Sequence, residues 1–253
     1  MKRRISIAAR EHLETVILPF WMKLKDDTLG GYYGYMGQDL ILDKQAEKGC
    51  ILNSRILWFF SEAAMTLQKD ELREYADHAY RFLYEHCIDR THGGVFWSMT
   101  CDGKPLDTTK HTYNQAFAIY ALSAYYRLTG KEEALAQAKS LFRLIEERCT
   151  DEAGYLEAFT ADWKPESNEK LSENGILAAK TMNTQYHPAD IAVIRNRHPA
   201  GDLNLNAIQQ YFFLHMPSLI NGFIMNTIIT ESRTIFNTFR RKIPCQLAEA
   251  AVY

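Results

Sequence analysis

Gly30-Gly31-Tyr32-Tyr33-Gly34-Tyr35 is echoed 63 residues later by Gly93-Gly94-Val95-Phe96-Trp97-Ser98, and more faintly by Ala153-Gly154-Tyr155-Leu156-Glu157-Ala158. Each aromatic segment is followed by a polar loop and then a helix-forming stretch: Asn53-Ser54-Arg55-Ile56-Leu57-Trp58, then Tyr113-Asn114-Gln115-Ala116-Phe117-Ala118, then Leu177 to His187. The repeating unit is helix, Gly turn, short aromatic strand or hairpin, loop, helix, and a repeat of this kind organises the whole fold. One unit cannot bury both of its helix faces. Stacked around a ring, successive units form two layers, with the apolar second helix of each inside and the charged first helix outside. The predicted class is all-α, an incomplete toroid of helical hairpins with short aromatic β-hairpin turns. Closure at this period takes about six units, roughly 360 to 400 residues, and the chain carries three.

The helices themselves follow from periodicity. Leu13, Val16, Ile17, Phe20, Trp21 and Leu24 keep the spacing of one helical face across Arg4 to Leu24. Ser54 to Leu67 and the charged stretch Glu71 to His86 predict two more. Tyr113 to Thr129 and Glu132 to Arg148 predict a helical hairpin, joined where Gly130 supplies the left-handed residue that ends a helix. The inner helices start at the loops, so Arg55, Tyr113 and Asn183 are expected to gather at one mouth of the ring.

The chain has 253 residues, 47% of them hydrophobic, so a sizeable core is within reach and general disorder is excluded. With 29 Lys+Arg against 31 Asp+Glu, it offers no basic field for nucleic acid or an anionic membrane. No apolar run has the length to span a bilayer, and the apolar stretch Ile5 to Ala9 is too short for a secretory signal. The five cysteines, Cys50, Cys87, Cys101, Cys149 and Cys245, are odd in number and lack metal-ligand spacing, so neither a disulfide framework nor a metal site is expected. A cytoplasmic protein with a small or neutral partner is the reading.

From Pro188 to Tyr253 the character changes. Only six Lys+Arg and four Asp+Glu occur in these 66 residues, and no Gly-Gly-aromatic unit returns. Residues 1–187 therefore read as the repeat domain and 188–253 as a divergent or frame-shifted tail. An open ring exposes apolar faces of its inner helices, which predicts self-association.

Residues 11 to 187 resemble the N-acylglucosamine 2-epimerase family, and within it the cellobiose 2-epimerase group. The strings that carry the resemblance are Ile17-Leu18-Pro19-Phe20-Trp21, the Gly30 to Tyr35 segment, Lys48 to Phe60, Lys110 to Tyr120, Ser167 to Gly175 and Thr181-Met182-Asn183-Thr184. The resemblance implies an (α/α)6 barrel, of which this chain matches the N-terminal half. It implies interconversion of glucose and mannose at the reducing end of a β-1,4-linked disaccharide, with no cofactor, by removal and return of the C2 proton through an enediolate. That chemistry needs two proton carriers and a clamp on the developing oxyanion.

Arg55 matches the active-site arginine of the family; its planar donor fork suits the C1 and C2 oxygens. An ion pair with a neighbouring acid is the structural alternative. Tyr113 matches a substrate-bonding tyrosine, with ordinary packing equally open. Asn183 and His187 match a binding Asn and His four residues apart, which a helix puts on one face; Gln185-Tyr186 replace the Leu-Leu between them in the family, and Pro188 stops the helix. Trp58, Phe59, Phe60, Trp97, Tyr32, Tyr33 and Tyr35 read as structural packing. His111 reads as a hydrogen-bonded loop histidine or as lining the mouth, and Glu169, Glu173 and Asn174 as helix caps, with a substrate-facing loop as the alternative. Both acid/base histidines of the family belong to its second half, and His198 and His215 lack the matching context. An isomerase with its proton carriers missing is therefore expected, of reduced or no activity. The alternatives are a non-catalytic carbohydrate-binding remnant and a toroid glycoside hydrolase, which needs two flanking carboxylates.

Overall fold

A computed structural model describes residues 2–152 and 154–167 of the chain. The predicted helix 177–187, the site residues Asn183 and His187, the acidic loop 169–174 and the tail 188–253 lie outside the described residues.

The first helical rod comprises α1 (Lys2–His12), a π turn (Leu13–Ile17) and α2 (Leu18–Met22). The N–H of Leu18 bonds to the Leu13 carbonyl, five residues back, just before Pro19, which has no N–H to give. A π turn holds more residues than an α turn, so the apolar stripe read at uniform helical spacing is rotated beyond it. Leu18 and Leu24 are buried, whereas Val16 and Phe20, read on the same apolar face as Leu24, are exposed.

Next come the hairpin β1 (Tyr35–Met36) and β2 (Leu42–Asp43), strand β3 (Lys48–Gly49) and helix α3 (Cys50–Leu67). Helix α3 begins four residues before the predicted Ser54, because Gly49 is extended and hands the chain from β3 directly into a first turn that is itself buried. The predicted helix 71–86 is divided into a 3-10 turn (Asp70–Leu72), α4 (Arg73–Phe82) and a second π turn (Leu83–Cys87). Then follow β4 (Ser98–Met99), β5 (Pro105–Asp107), β6 (Lys110–His111) and α5 (Thr112–Thr129). Gly130, at φ 71°, closes α5 with a bond from its N–H to the Tyr126 carbonyl. Helix α6 (Glu132–Arg148) has the predicted limits, and β7 (Thr150–Asp151), β8 (Gly154–Tyr155) and β9 (Ala158–Phe159) follow.

Helix α5 packs along both α3 and α6, and α3 packs against α4. Every residue of α5 from Thr112 to Tyr125 is buried, whereas α4 and α6 bury one stripe each, Ala76, Ala79, Tyr80 and Phe82 on one and Ala134, Ala138, Leu141 and Ile145 on the other. Helices α3 and α5 thus form an inner pair backed by α4 and α6, the layering that the repeat predicts.

The strands link the units. β3 pairs with β4, Lys48 opposite Met99 and Gly49 opposite Ser98, and β6 pairs with β9, Lys110 opposite Phe159 and His111 opposite Ala158. The strand that leads into each inner helix is therefore held by the next hairpin along. The three hairpin tips share one backbone turn, with a left-handed residue at Leu40, Gly103 and Trp163, so the faint third repeat is a structural one.

A buried clasp also repeats. Asp26 Oδ1 accepts the N–H groups of Thr28 and Leu29, each at 3.0 Å, while Lys48 Nζ donates to Asp26 Oδ2 at 2.6 Å and to the Gly30 carbonyl at 2.7 Å. One unit later, Asp89 Oδ1 accepts from Thr91 and His92, and Lys110 Nζ donates to Asp89 Oδ2 at 2.8 Å and to the Gly93 carbonyl at 3.1 Å. Both lysine side chains are fully buried. Each clasp ties a Gly-Gly turn to the strand that feeds an inner helix. The glycines are needed there: Gly31 has φ +67°, and a Cβ on it would lie 2.6 Å from the ring of Phe82 on α4.

Burial alone pushes the Asp26 and Asp89 carboxyls up, but the ammonium groups and the two amide donors on each overcome it and hold both below the usual carboxylate range. Burial also pulls the Lys110 ammonium below its ordinary range, against the pull of Asp89. A depressed carboxyl stabilises the fold above its unfolded pKa and loses that contribution as pH falls through the folded value. Unfolding free energy, followed by urea titration, is expected to stay level down to about pH 5 and to fall below about pH 4; stability unchanged at about pH 2 would contradict the clasps.

Candidate functional site

Arg55 and Tyr113 are 58 residues apart in sequence, and the side-by-side packing of α3 and α5 brings them together near the two N-termini. Arg55 Nη2 donates to Tyr113 Oη at 3.0 Å, and its guanidinium carbon lies 4.4 Å from the Phe117 ring centroid. Tyr113 and Phe117, one turn apart on α5, meet edge to face at 4.8 Å. Ile51, one turn before Arg55 on α3, packs with Tyr113 and Phe117, and Trp97 closes over this cluster. Burial lowers the guanidinium pKa, an effect that the Tyr113 hydroxyl opposes; arginine stays cationic at any working pH. A half-buried cation facing a phenol hydroxyl and aromatic walls has the chemistry to donate to an oxyanion.

Trp97 packs as expected, half-buried against that cluster and 4.4 Å from the ring of the buried His111, and it also lines a cleft. Its neighbour Ser98 pairs with Gly49 across β3 and β4, which sets Trp97 beside the start of α3. The cleft has a volume of about 250 Å³, and Gly34, Tyr35, Glu47, Ile51, Trp97 and Ser98 are among its walls. Tyr32 and Phe60 are structural as expected: both are fully buried, and Tyr32 Oη donates to the Tyr75 carbonyl. Trp58 stacks on Tyr120 at 5.3 Å deeper along the inner pair, and beyond them Arg127 pairs with Glu62 at 3.3 Å.

The sequence reading missed Ile51 and Phe117. Both stand four residues from a named candidate, on the same helix and the same face, and helical spacing from Arg55 and Tyr113 reaches them. Elsewhere, His78 and His86 have ring nitrogens on the carbonyls of Gly31 and Gly103, which gives them turn-bracing roles. Among the described residues, no three His, Cys, Asp or Glu side chains lie together as a metal site, and no helix is long and apolar enough to cross a membrane. The cysteines described, Cys50, Cys87, Cys101 and Cys149, are free thiols.

The frame of paired helices, with Arg55 and Tyr113 meeting at the head of α3 and α5, is shared with proteins of known family. The sequence model of the N-acylglucosamine 2-epimerase (GlcNAc 2-epimerase) family matches residues 31–196, and the chain belongs to this family. It is 58% identical over 177 residues to a cellobiose 2-epimerase of Eubacterium cellulosolvens, a match covering 70% of this chain and 44% of that protein. Among solved structures, a sugar epimerase from a ruminal bacterium superposes with a TM-score of 0.73 at 51% identity, covering 81% of this chain and 52% of that one. The cellobiose 2-epimerase of Bacillus thermoamylovorans gives a TM-score of 0.73 at 42% identity, covering 84% and 56%. The chain spans about half the length of the relatives it matches.

Proposed function

We propose that this chain is a sugar 2-epimerase that interconverts glucose and mannose at the reducing end of β-1,4-linked disaccharides such as cellobiose. The observation that carries this reading is the contact between Arg55 and Tyr113 at the head of the inner helix pair. In this reading residues 1–187 are the N-terminal half of an (α/α)6 barrel, residues 188–253 are a divergent or frame-shifted tail, and the protein works in a reducing cytoplasm.

The reaction starts from the ring-opened sugar. Loss of the C2 proton leaves an enediolate whose charge lies on the C1 and C2 oxygens. Arg55 offers those oxygens a fixed pair of N–H donors, already oriented by Tyr113 and Phe117, so little reorganisation accompanies charge development. The Tyr113 hydroxyl, donating to a substrate oxygen while it accepts from Arg55, fixes the direction of approach. Asn183 and His187 are proposed to bind further substrate hydroxyls. Return of a proton to the opposite face of C2 gives the epimer; the two acid/base groups that this exchange requires belong, on the resemblance, to the half of the barrel that residues 1–187 do not match, so turnover by this chain is expected to be low.

The test is incubation of the purified chain with cellobiose in D2O. The expected product is 4-O-glucosyl-mannose carrying deuterium at C2, read by NMR. Saturable sugar binding without exchange refutes the epimerase reading in favour of a non-catalytic carbohydrate-binding protein. Release of free glucose refutes it in favour of hydrolysis.

A further inference from the structure

The N-terminal rod is covered far less than the other two outer helices. Helix α4 buries Ala76, Ala79, Tyr80 and Phe82, and α6 buries Ala134, Ala138, Leu141 and Ile145, whereas no residue of the rod from Ile7 to Ile17 is buried. Position in the ring accounts for the difference. Helix α4 lies against both α3 and α5, one inner helix on each flank, while among the described residues the rod has α3 after it and no inner helix before it. The rod meets the core through Leu13, Trp21 and Met22. Glu14 pairs with Lys69, just beyond the end of α3, at 3.4 Å. Val16, two residues from Glu14, stands on the opposite side of the rod, and Phe20 stands one turn beyond Val16. These two side chains are 44% and 37% exposed, and the Phe20 ring is braced edge to face by Trp21 at 5.4 Å. In a repeat structure such a flank is covered by the neighbouring unit.

The repeat itself says what that neighbour is. Closure takes about six units, the sequence carries three, and the chain spans about half the length of its relatives. Two copies therefore supply the full number. We propose that two copies of this chain close one ring, the Val16 and Phe20 flank of each rod receiving the third unit of the other. Twofold symmetry gives two identical contacts per dimer. Two contacts between paired helix layers reach the about 1,200–2,000 Å² of a stable interface, which a single apolar spot does not. This inference rests on the reading of residues 1–187 as half of a six-unit barrel and is independent of the epimerase chemistry.

The test is sedimentation velocity on the full chain over a range of concentrations, with circular dichroism to check that each variant is folded. The unaltered chain is expected to sediment with twice the mass of one chain at about 10 µM. Phe20→Asp is expected to weaken the dimer about 100-fold or more, since each dimer buries that side chain twice, and Phe20→Leu to leave it in place. Val16→Asp, at a more exposed position, is decisive if Phe20→Asp does not fold. Mixing Phe20→Asp with Phe20→Lys is expected to restore nothing, because in the ring Phe20 faces the third unit and not the other Phe20. A monomer at every concentration, a dimer indifferent to both Asp variants, or open-ended larger assemblies overturn the ring. So does a dimer restored by mixing, which means that the two rods lie on each other. A dimer that passes these tests but binds no sugar overturns the function proposed above and leaves the ring standing.

Discussion

Arg55→Ala is expected to lower the rate of C2 epimerisation by at least about 10²–10³-fold, the typical effect of removing one preorganised oxyanion donor. Under the proposed function the loss falls on turnover more than on sugar affinity, because the charge that Arg55 would meet develops only in the transition state. Arg55→Lys keeps a charge but not the planar fork, and is expected to recover only a small part of the rate. Far-UV circular dichroism should be unchanged in both variants, since the guanidinium meets Tyr113 and the Phe117 ring near the helix ends and does not fill the core between α3 and α5. Turnover retained in Arg55→Ala would remove this residue from the site.

The second large effect is expected far from the chemistry. Lys48→Met removes the ammonium from a clasp in which Asp26 is itself buried, and the carboxylate is left facing the protein interior without its counter-charge. Breaking a buried pair in this way costs about 3–5 kcal/mol. For a chain of this size that corresponds to a fall of about 10 °C in Tm. The double variant Lys48→Met with Asp26→Asn removes the stranded charge while keeping an oxygen for the Thr28 and Leu29 amides, so it is expected to be more stable than Lys48→Met alone. Thermal unfolding of the two single variants and the double variant measures the coupling. A cost for Lys48→Met below about 1 kcal/mol would mean that the clasp is a bystander.

The clasps explain why the Gly-Gly turns are spaced as they are. A buried lysine reaches back to the turn carbonyl and to an aspartate four residues before it, so turn, strand and inner helix move as one block. The second block, built by Lys110, Asp89 and Gly93, holds Tyr113 in the same way that the first holds Arg55. The contact between Arg55 and Tyr113 thus depends on two equivalent anchors as well as on the packing of α3 against α5.

The order of elements, the limits of α6, the left-handed stop at Gly130 and the inner position of α3 and α5 were legible in the chain, because periodicity and glycine are local signals whose consequence is the same in any context. Arg55 and Tyr113 were legible as candidates through the repeat, which puts both at the start of an inner helix, and through the resemblance. Lys48 and Lys110 were not: a lysine is normally solvated, and only the tertiary placement of an aspartate more than twenty residues away makes its burial tolerable. The cleft that Trp97 lines was not either, since an aromatic residue in a hairpin has the same local signature whether it only packs a core or also walls a cleft, and only the pairing of β3 with β4 decides which. The π turn before Pro19 likewise turned Val16 and Phe20 out of the apolar stripe that uniform helical spacing draws. What the sequence alone determined was the unit and its repetition, both set by short-range backbone and hydrophobic preferences. The approach of one unit to the next, and with it the site, was decided only by long-range packing, because burial, charge pairing and pocket shape are properties of surfaces that meet and not of the segments that carry them.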